Sequence, residues 1–208
     1  MFRFLILLFT TCGLALPALA EPIYFISVAT ISKGKQTQYD SFLKAVSPIW
    51  KKHKMQVLLR SRIVDMTAVG GVQDHPHEIG VLRAASRADF KAYLSDVAYQ
   101  KIKGQRLEAV DTFVVLEGVA TQTAALKYLK NVPMAAIVLS TGQAKPSKVS
   151  LTIKVQLVGQ VKGPISSFLK SVTAVQVHAV SYDDNPMGYM PDNKSSDGAL
   201  GLVGELVR

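Results

Sequence analysis

Cysteine is nearly absent: Cys12 is the only one in 208 residues. It sits inside the apolar start of the chain, so everything after it is free of thiols. Such a chain has no disulfide, no thiolate nucleophile, no Cys-ligated metal and no thioether-linked haem. Its stability has to come from a core. Several catalytic signatures are missing too. There is no G-x-S-x-G elbow, no Walker loop, and no dinucleotide fingerprint placed on a strand-to-helix turn. Nothing resembles the paired carboxylates of a glycoside hydrolase.

Long apolar runs are scarce, and the one that stands out opens the chain. Arg3 supplies a positive start, Phe4 to Phe9 begin an apolar stretch, and Ala18-Leu19-Ala20 has the small-x-small pattern of a cleavage site. The reading is an export signal cut between Ala20 and Glu21, which implies a periplasmic or secreted protein. The run is shorter than the ~20 residues a spanning helix needs, so no transmembrane anchor is expected. A lipid-anchored signal would place its cysteine at the cleavage point, and Cys12 is well before it.

What remains after residue 20 is rich in apolar side chains and basic. Arg3 is the only charge before Glu21, which leaves 23 basic against 15 acidic residues, a net charge of +8. A nucleic-acid surface is one reading of that balance. A solvated basic surface is the other, and export favours it, so no nucleic-acid partner is expected. Lys51-Lys52-His53-Lys54 reads as the basic C-terminal end of a helix, where cations suit the helix dipole.

The middle of the chain alternates strands and helices. Tyr24 to Ile31 reads as a strand, followed by a Ser32-Lys33-Gly34-Lys35 turn. Tyr39, Phe42, Leu43, Val46, Ile49 and Trp50 then fall on one helical face, with Pro48 inside it. Gln56 to Asp65 and Glu78 to Ala84 read as the next two strands, separated by a turn region that includes Gly70-Gly71. Ser86-Arg87-Ala88-Asp89 is a capping box opening a second helix, with Phe90, Tyr93, Leu94 and Val97 as its apolar stripe. Asp111 to Gly118 closes the unit. The order βαββαβ is the ferredoxin-like split motif, so the fold class is α+β.

Residues 24–118 resemble the domain-of-unknown-function family 1330, a branch of the dimeric α+β barrel superfamily. The resemblance rests on Tyr39, on Leu58-Leu59-Arg60-Ser61, on Tyr99-Gln100 followed by Arg106, and on the closing Val114-Val115-Leu116-Glu117-Gly118. The chain departs from that pattern at His53-Lys54-Met55, where the family usually has a glycine pair. The resemblance implies a ferredoxin-like unit that leaves one sheet face to be covered by a second unit.

Residues 121–208 echo the first half. Ser41-Phe42-Leu43-Lys44-Ala45-Val46 recurs as Ser167-Phe168-Leu169-Lys170-Ser171-Val172, each after a Lys-Gly pair. Strands are read at 149–158, 174–184 and 199–207. Upstream, 122–130 and 134–140 would supply a missing helix and last strand. The organisation expected is therefore a signal at 1–20, a first α+β domain at 21–120, and a circularly permuted second half at 121–208. The two halves would form an intrachain pseudo-dimer, and a homodimer of the first half is the alternative. Two amphipathic helices can also share six residues by chance.

The candidate chemistry is sparse. His75-Pro76-His77-Glu78, preceded by Asp74, places two imidazoles on one side of an extended segment, as a metal site would. A polar loop entering a strand explains it as well, and no metal is assigned. Arg60 and Arg62 alternate along one strand and share a face, as an anion clamp would, or as residues paired with Glu117. Tyr39, Tyr93 and Tyr99 could line a pocket or a core. The aspartate-rich stretch 182–198 fits no EF-hand. Arg60, His77 and Tyr99 are the candidate ligand-binding residues, and no cofactor is expected. The function read from this pattern is an exported protein binding a small-molecule ligand. The alternative is a cofactor-independent monooxygenase or isomerase acting on a small aromatic or lactone, with His75, His77 or His178 as its base.

Overall fold

Among the described residues eight strands close into a single barrel. The helices of the first half sit outside it, and the short helix of the second half adds Phe168 and Leu169 to the barrel's apolar cluster. The structure is a computed structural model that describes residues 21–69, 75–123, 129, 132–142, 150–163, 166–181 and 198–207. In chain order the elements are β1 (Ile23–Ile31), α1 (Gln36–Lys52), β2 (Met55–Val69), β3 (Glu78–Ala84), α2 (Arg87–Leu94), α3 (Val97–Ala109) and β4 (Val110–Thr123). The second half continues with β5 (Met134–Ser140), β6 (Ser150–Lys162), α4 (Ser167–Ser171), β7 (Ala174–Val180) and β8 (Ala199–Leu206). The order around the barrel is β1-β3-β2-β8-β5-β7-β6-β4, and every neighbouring pair is antiparallel.

The strands alternate because each has one face in the barrel. Ile26 and Val28, Ile79 and Val81, Val114 and Leu116 point inward with Ile137, Leu139, Leu151, Ile153, Val175, Val177, Leu200 and Leu202, forming one apolar cluster. Burying each such side chain is worth about 1.5–3 kcal/mol, so this cluster is the main stabilising mass of a chain without disulfides. The opposite face of the first four strands carries Phe25, Ala29, Ile31, Ala84 and Phe113, which pack under the helices. Phe42, Val46 and Ile49 of α1 complete that second core.

The first half keeps its strands together in the order β4-β1-β3-β2. Three local expectations change. The second helix is two helices: Asp96 accepts a 2.7 Å hydrogen bond from the Ala98 N–H and caps α3 afresh. The interruption turns Leu94 and Val97 outward, 40% and 69% exposed, so they are not part of the apolar stripe. Ser86 caps α2 as expected, its Oγ accepting from the Asp89 N–H at 3.1 Å, while the Asp89 carboxylate accepts from the Ser86 hydroxyl at 2.6 Å. Strands β2 and β4 run on past Asp65 and Gly118 because each continues along a strand of the other half.

The second half is not permuted. A permuted unit would set β6 beside β8 and leave β7 at the edge. Instead β6 pairs with β7, and β8 pairs with β5. The order β8-β5-β7-β6 follows the same fourth-first-third-second sequence as the first half. The Ser167–Val172 block lies between the second and third strands of its half, whereas Ser41–Val46 lies between the first and second. Their likeness is that of two amphipathic segments, whose apolar spacing repeats whatever strands flank them. Gln122 and Thr123 belong to β4 rather than to a helix. Residues 1–20, Asp74 and the stretch 182–197 lie outside the described residues.

Candidate functional site

A cavity of about 770 Å³ lies between the helices and the outer face of the first four strands. Its size falls within the range of small-molecule sites. Helix α1 creates it by using two flanks. Val46 and Ile49 are buried in the core, while Asp40, Phe42, Leu43, Ser47 and Trp50 border the open space. The floor includes Ser27 and Gly80. A Cβ on Gly80 would meet Ser27 Oγ at 2.7 Å, so the missing side chain keeps the floor open.

One end is ionic. Arg60 Nε donates to Glu78 Oε1 at 2.8 Å, and its Nη2 donates to Glu78 Oε2 at 2.8 Å. The same Nη2 donates to Asp40 Oδ1, and Arg62 Nη2 stands 3.9 Å from Asp40 Oδ2. The two arginines therefore balance the two carboxylates. Burial pushes the Glu78 pKa up against the opposing pull of Arg60. Burial also works against the Arg60 charge, but its hydrogen bonds to Glu78 and Asp40 prevail and its pKa rises. Tyr39, which lines the cavity beside this group, is held in its neutral form by burial first and by Glu78 second.

The other end is aromatic. Phe90 stacks on Phe25 with centroids 3.6 Å apart, and Tyr93 lies 4.3 Å from Tyr99. Burial pushes the Tyr93 hydroxyl pKa up. Arg106 enters this end from α3. Its guanidinium carbon is 4.2 Å from the centre of the Phe113 ring and 5.5 Å from that of Phe42. Its Nη2 donates to Tyr99 Oη at 3.2 Å, while its Nε is buried without a partner. Among the described residues, no carboxylate pairs with Arg106.

The structure brings two of the three candidate residues together. Arg60 and Tyr99 border the cavity, and His77 does not. His77 is exposed at the start of β3, its Nδ1 lying 3.0 Å from both the N–H and the carbonyl oxygen of Ile31. Glu78, next to it, turns to Arg60, so the His77-Glu78 pair is split between surface and interior. Among the described residues, no three His, Cys, Asp or Glu side chains are grouped as a metal site. Glu117 pairs with Arg87 rather than with Arg60 or Arg62. Two contributors escaped the sequence reading as site residues. Asp40 follows Tyr39 on α1 and carries no motif of its own in the sequence. Arg106 carried a signal, since it follows Tyr99 by seven residues, two helical turns, and so shares its face.

No protein-family model and no curated protein matches this chain. Solved structures do. A mutant chlorite dismutase from Candidatus Nitrospira defluvii is 11% identical, with 92% of this chain and 93% of that one covered and a TM-score of 0.50. A protein of unknown function from Rhodopseudomonas palustris is 14% identical over 47% of this chain and 80% of its own, with a TM-score of 0.43. A cofactor-independent oxygenase from Streptomyces nogalater is 12% identical over 50% of this chain and 97% of its own, with a TM-score of 0.36. At 11% identity the likeness to the chlorite dismutase is one of fold, and with the strand order of the barrel it fits the α+β ferredoxin-like class. None of the described helices is long and apolar enough to cross a membrane.

Proposed function

We propose that this protein is an exported binder of a small, largely apolar molecule, held in the cavity between the helices and the first four strands. The cavity itself carries the reading: about 770 Å³ of space walled by Phe25, Phe42, Phe90, Tyr93 and Tyr99, with a few polar groups at its ends. The chain closes its own barrel, with β2 on β8 and β4 on β6. In this reading the second half takes the place of a partner subunit, so the chain is a monomeric pseudo-dimer. Its first half is a divergent unit of the family 1330 type, and residues 1–20 are its export signal.

The enzymatic alternative asks for a base at neutral pH inside the cavity. None of the four histidines borders it. His75 and His77 are exposed, His53 is engaged by Asp96, and His178 is buried on β7. That distribution removes the histidines as the base, and Glu78, which lines the cavity with a raised pKa, is held through both oxygens by Arg60.

Trp50, the only tryptophan, lines the cavity and reports on it. Titration with the neutral fluorophore phenylnaphthylamine is expected to enhance its fluorescence and quench Trp50. Ser27→Phe, which fills the floor, is expected to abolish both effects. Unchanged titration in Ser27→Phe, or none in the parent, refutes the reading. Light scattering on the same sample is expected to give the mass of one chain.

A further inference from the structure

The cavity's charges are not all matched. At the ionic end, Arg60 and Arg62 face Asp40 and Glu78, two against two. Arg60 has already committed its Nε and Nη2 to carboxylates, so it is poorly placed to receive a ligand's charge. At the aromatic end Arg106 has no carboxylate within ion-pair distance among the described residues, although it and Glu78 both act on the Tyr39 phenol. It has five N–H donors. Tyr99 takes one, and the buried Nε has no acceptor at all. The Phe42 and Phe113 rings attract the cation through their faces, but they bring no negative charge. Lys44 and Lys51, exposed on α1, border the same space and add positive potential.

A guanidinium placed among aromatic rings, short of acceptors and without a carboxylate, is stabilised by an anion. The cavity is the space beside it from which one can come. Arginine presents a planar fork that fits the oxygens of a carboxylate or sulfonate. The rings of Phe90, Tyr93 and Tyr99 supply an apolar, aromatic surface for the rest of such a molecule.

We infer that the cavity selects aromatic anions, small ring compounds bearing a carboxylate or sulfonate, and that Arg106 is the residue that receives the anionic group. The inference rests on the binding function proposed above and specifies the class of ligand.

Two probes of nearly the same shape separate the two claims. Anilinonaphthalenesulfonate carries a sulfonate, and phenylnaphthylamine is the same ring system without it. The parent protein is expected to bind the sulfonate at least about tenfold more tightly at low salt, the scale of a charge-assisted hydrogen bond. Arg106→Gln is expected to bring the affinities for the two probes within about twofold of each other. Arg106→Lys, which keeps the charge and loses the fork, is expected to fall between them. Ser27→Phe is expected to remove both probes, which places them in the cavity. Equal affinities in the parent, or a preference that survives in Arg106→Gln, overturn the inference and leave the binding reading intact. Failure of both probes to bind the parent overturns both. If Arg106→Gln does not fold, the parent's preference and its decrease in Arg106→Lys decide the matter, and the absence of either overturns the inference.

Discussion

Arg60 and Glu78 meet through two parallel hydrogen bonds of 2.8 Å, although they are not opposite one another in the sheet. The residue opposite Glu78 is Arg62, and Arg60 faces Gly80. Arg60 therefore reaches diagonally along the strand, and the small Gly80 leaves it the room. Glu78 is 3% exposed, so this ion pair is largely withdrawn from water. Removing one partner strands the other. Arg60→Met is expected to destabilise the protein by about 3–5 kcal/mol in urea unfolding, and replacing Glu78 by Gln in the same chain to recover part of that loss. Asp40→Asn, on the more exposed carboxylate, is expected to cost under about 1 kcal/mol. The pH sense is also fixed. The raised pKa of Glu78 means its protonated form is favoured in the folded state. Its contribution is full below the unfolded pKa and is lost as pH rises through the folded one. Without Arg60 only the weaker pull of Arg62 opposes the burial, so the Arg60→Met deficit is expected to shrink toward acid pH.

The first half was legible in sequence because its signals are periodic and local. Tyr39, Phe42, Val46 and Ile49 mark a helix by spacing alone, and all four are buried. Alternation in 78–84 marks a strand whose bounds match. The arrangement of the second half was not legible, because strand neighbours are a long-range matter. Met134–Ser140 and Ala174–Val180 look like buried strands, but nothing in them says that they pair with each other. The cavity was legible only in fragments. Tyr99 and Arg106 share a face by spacing, whereas the joining of Asp40, Arg60 and Glu78 depends on α1 crossing β2 and β3.

Two glycines in equally regular surroundings should respond in opposite ways. Gly118 lies where β4 meets β6, and a Cβ there would run into the backbone of Lys154. Gly104 lies within α3, with nothing within 4 Å of its would-be Cβ. Gly118→Ala is expected to lower stability by about 1–3 kcal/mol through overpacking at the seam. Gly104→Ala is expected to raise it by about 0.5–1 kcal/mol through better helix propensity. Thermal unfolding of the two variants beside the parent tests the pair. A neutral Gly118→Ala would mean that the β4–β6 seam is looser than described.

Asp96 holds two helices together with one carboxylate. Its Oδ2 accepts from Lys52 Nζ and His53 Nε2, both at 2.7 Å, and its Oδ1 accepts from the Ala98 N–H. The hydrogen bonds from Lys52, His53 and Ala98, in that order, hold its pKa well below the usual carboxylate range. A depressed pKa gives stability that is present above the unfolded value of 3.8 and lost as pH falls through the folded one. Asp96→Asn is expected to lower the melting temperature at neutral pH and to flatten its fall in acid. Equal acid slopes in variant and parent would show that other carboxylates control the acid transition.

His178 sets a second and separate pH dependence. It lies on the outer face of β7, between Val177 and Ala179 of the barrel interior side, and is 4% exposed. Burial lowers its pKa from the ordinary 6.5, because the charged ring is costly away from water. The sign follows from the depressed value: stability is full above the unfolded pKa and is lost as pH falls through the folded one. This loss begins at higher pH than that of Asp96, so the two are separable in one pH series. His178→Gln keeps a polar side chain of similar size and cannot take up the proton. Melting temperatures of the parent are expected to decline from about pH 6.5 downward, while those of His178→Gln stay level until the carboxylates titrate. A parent curve that is flat across that interval, or a variant that declines with it, would mean that His178 is protonated in the folded state without penalty.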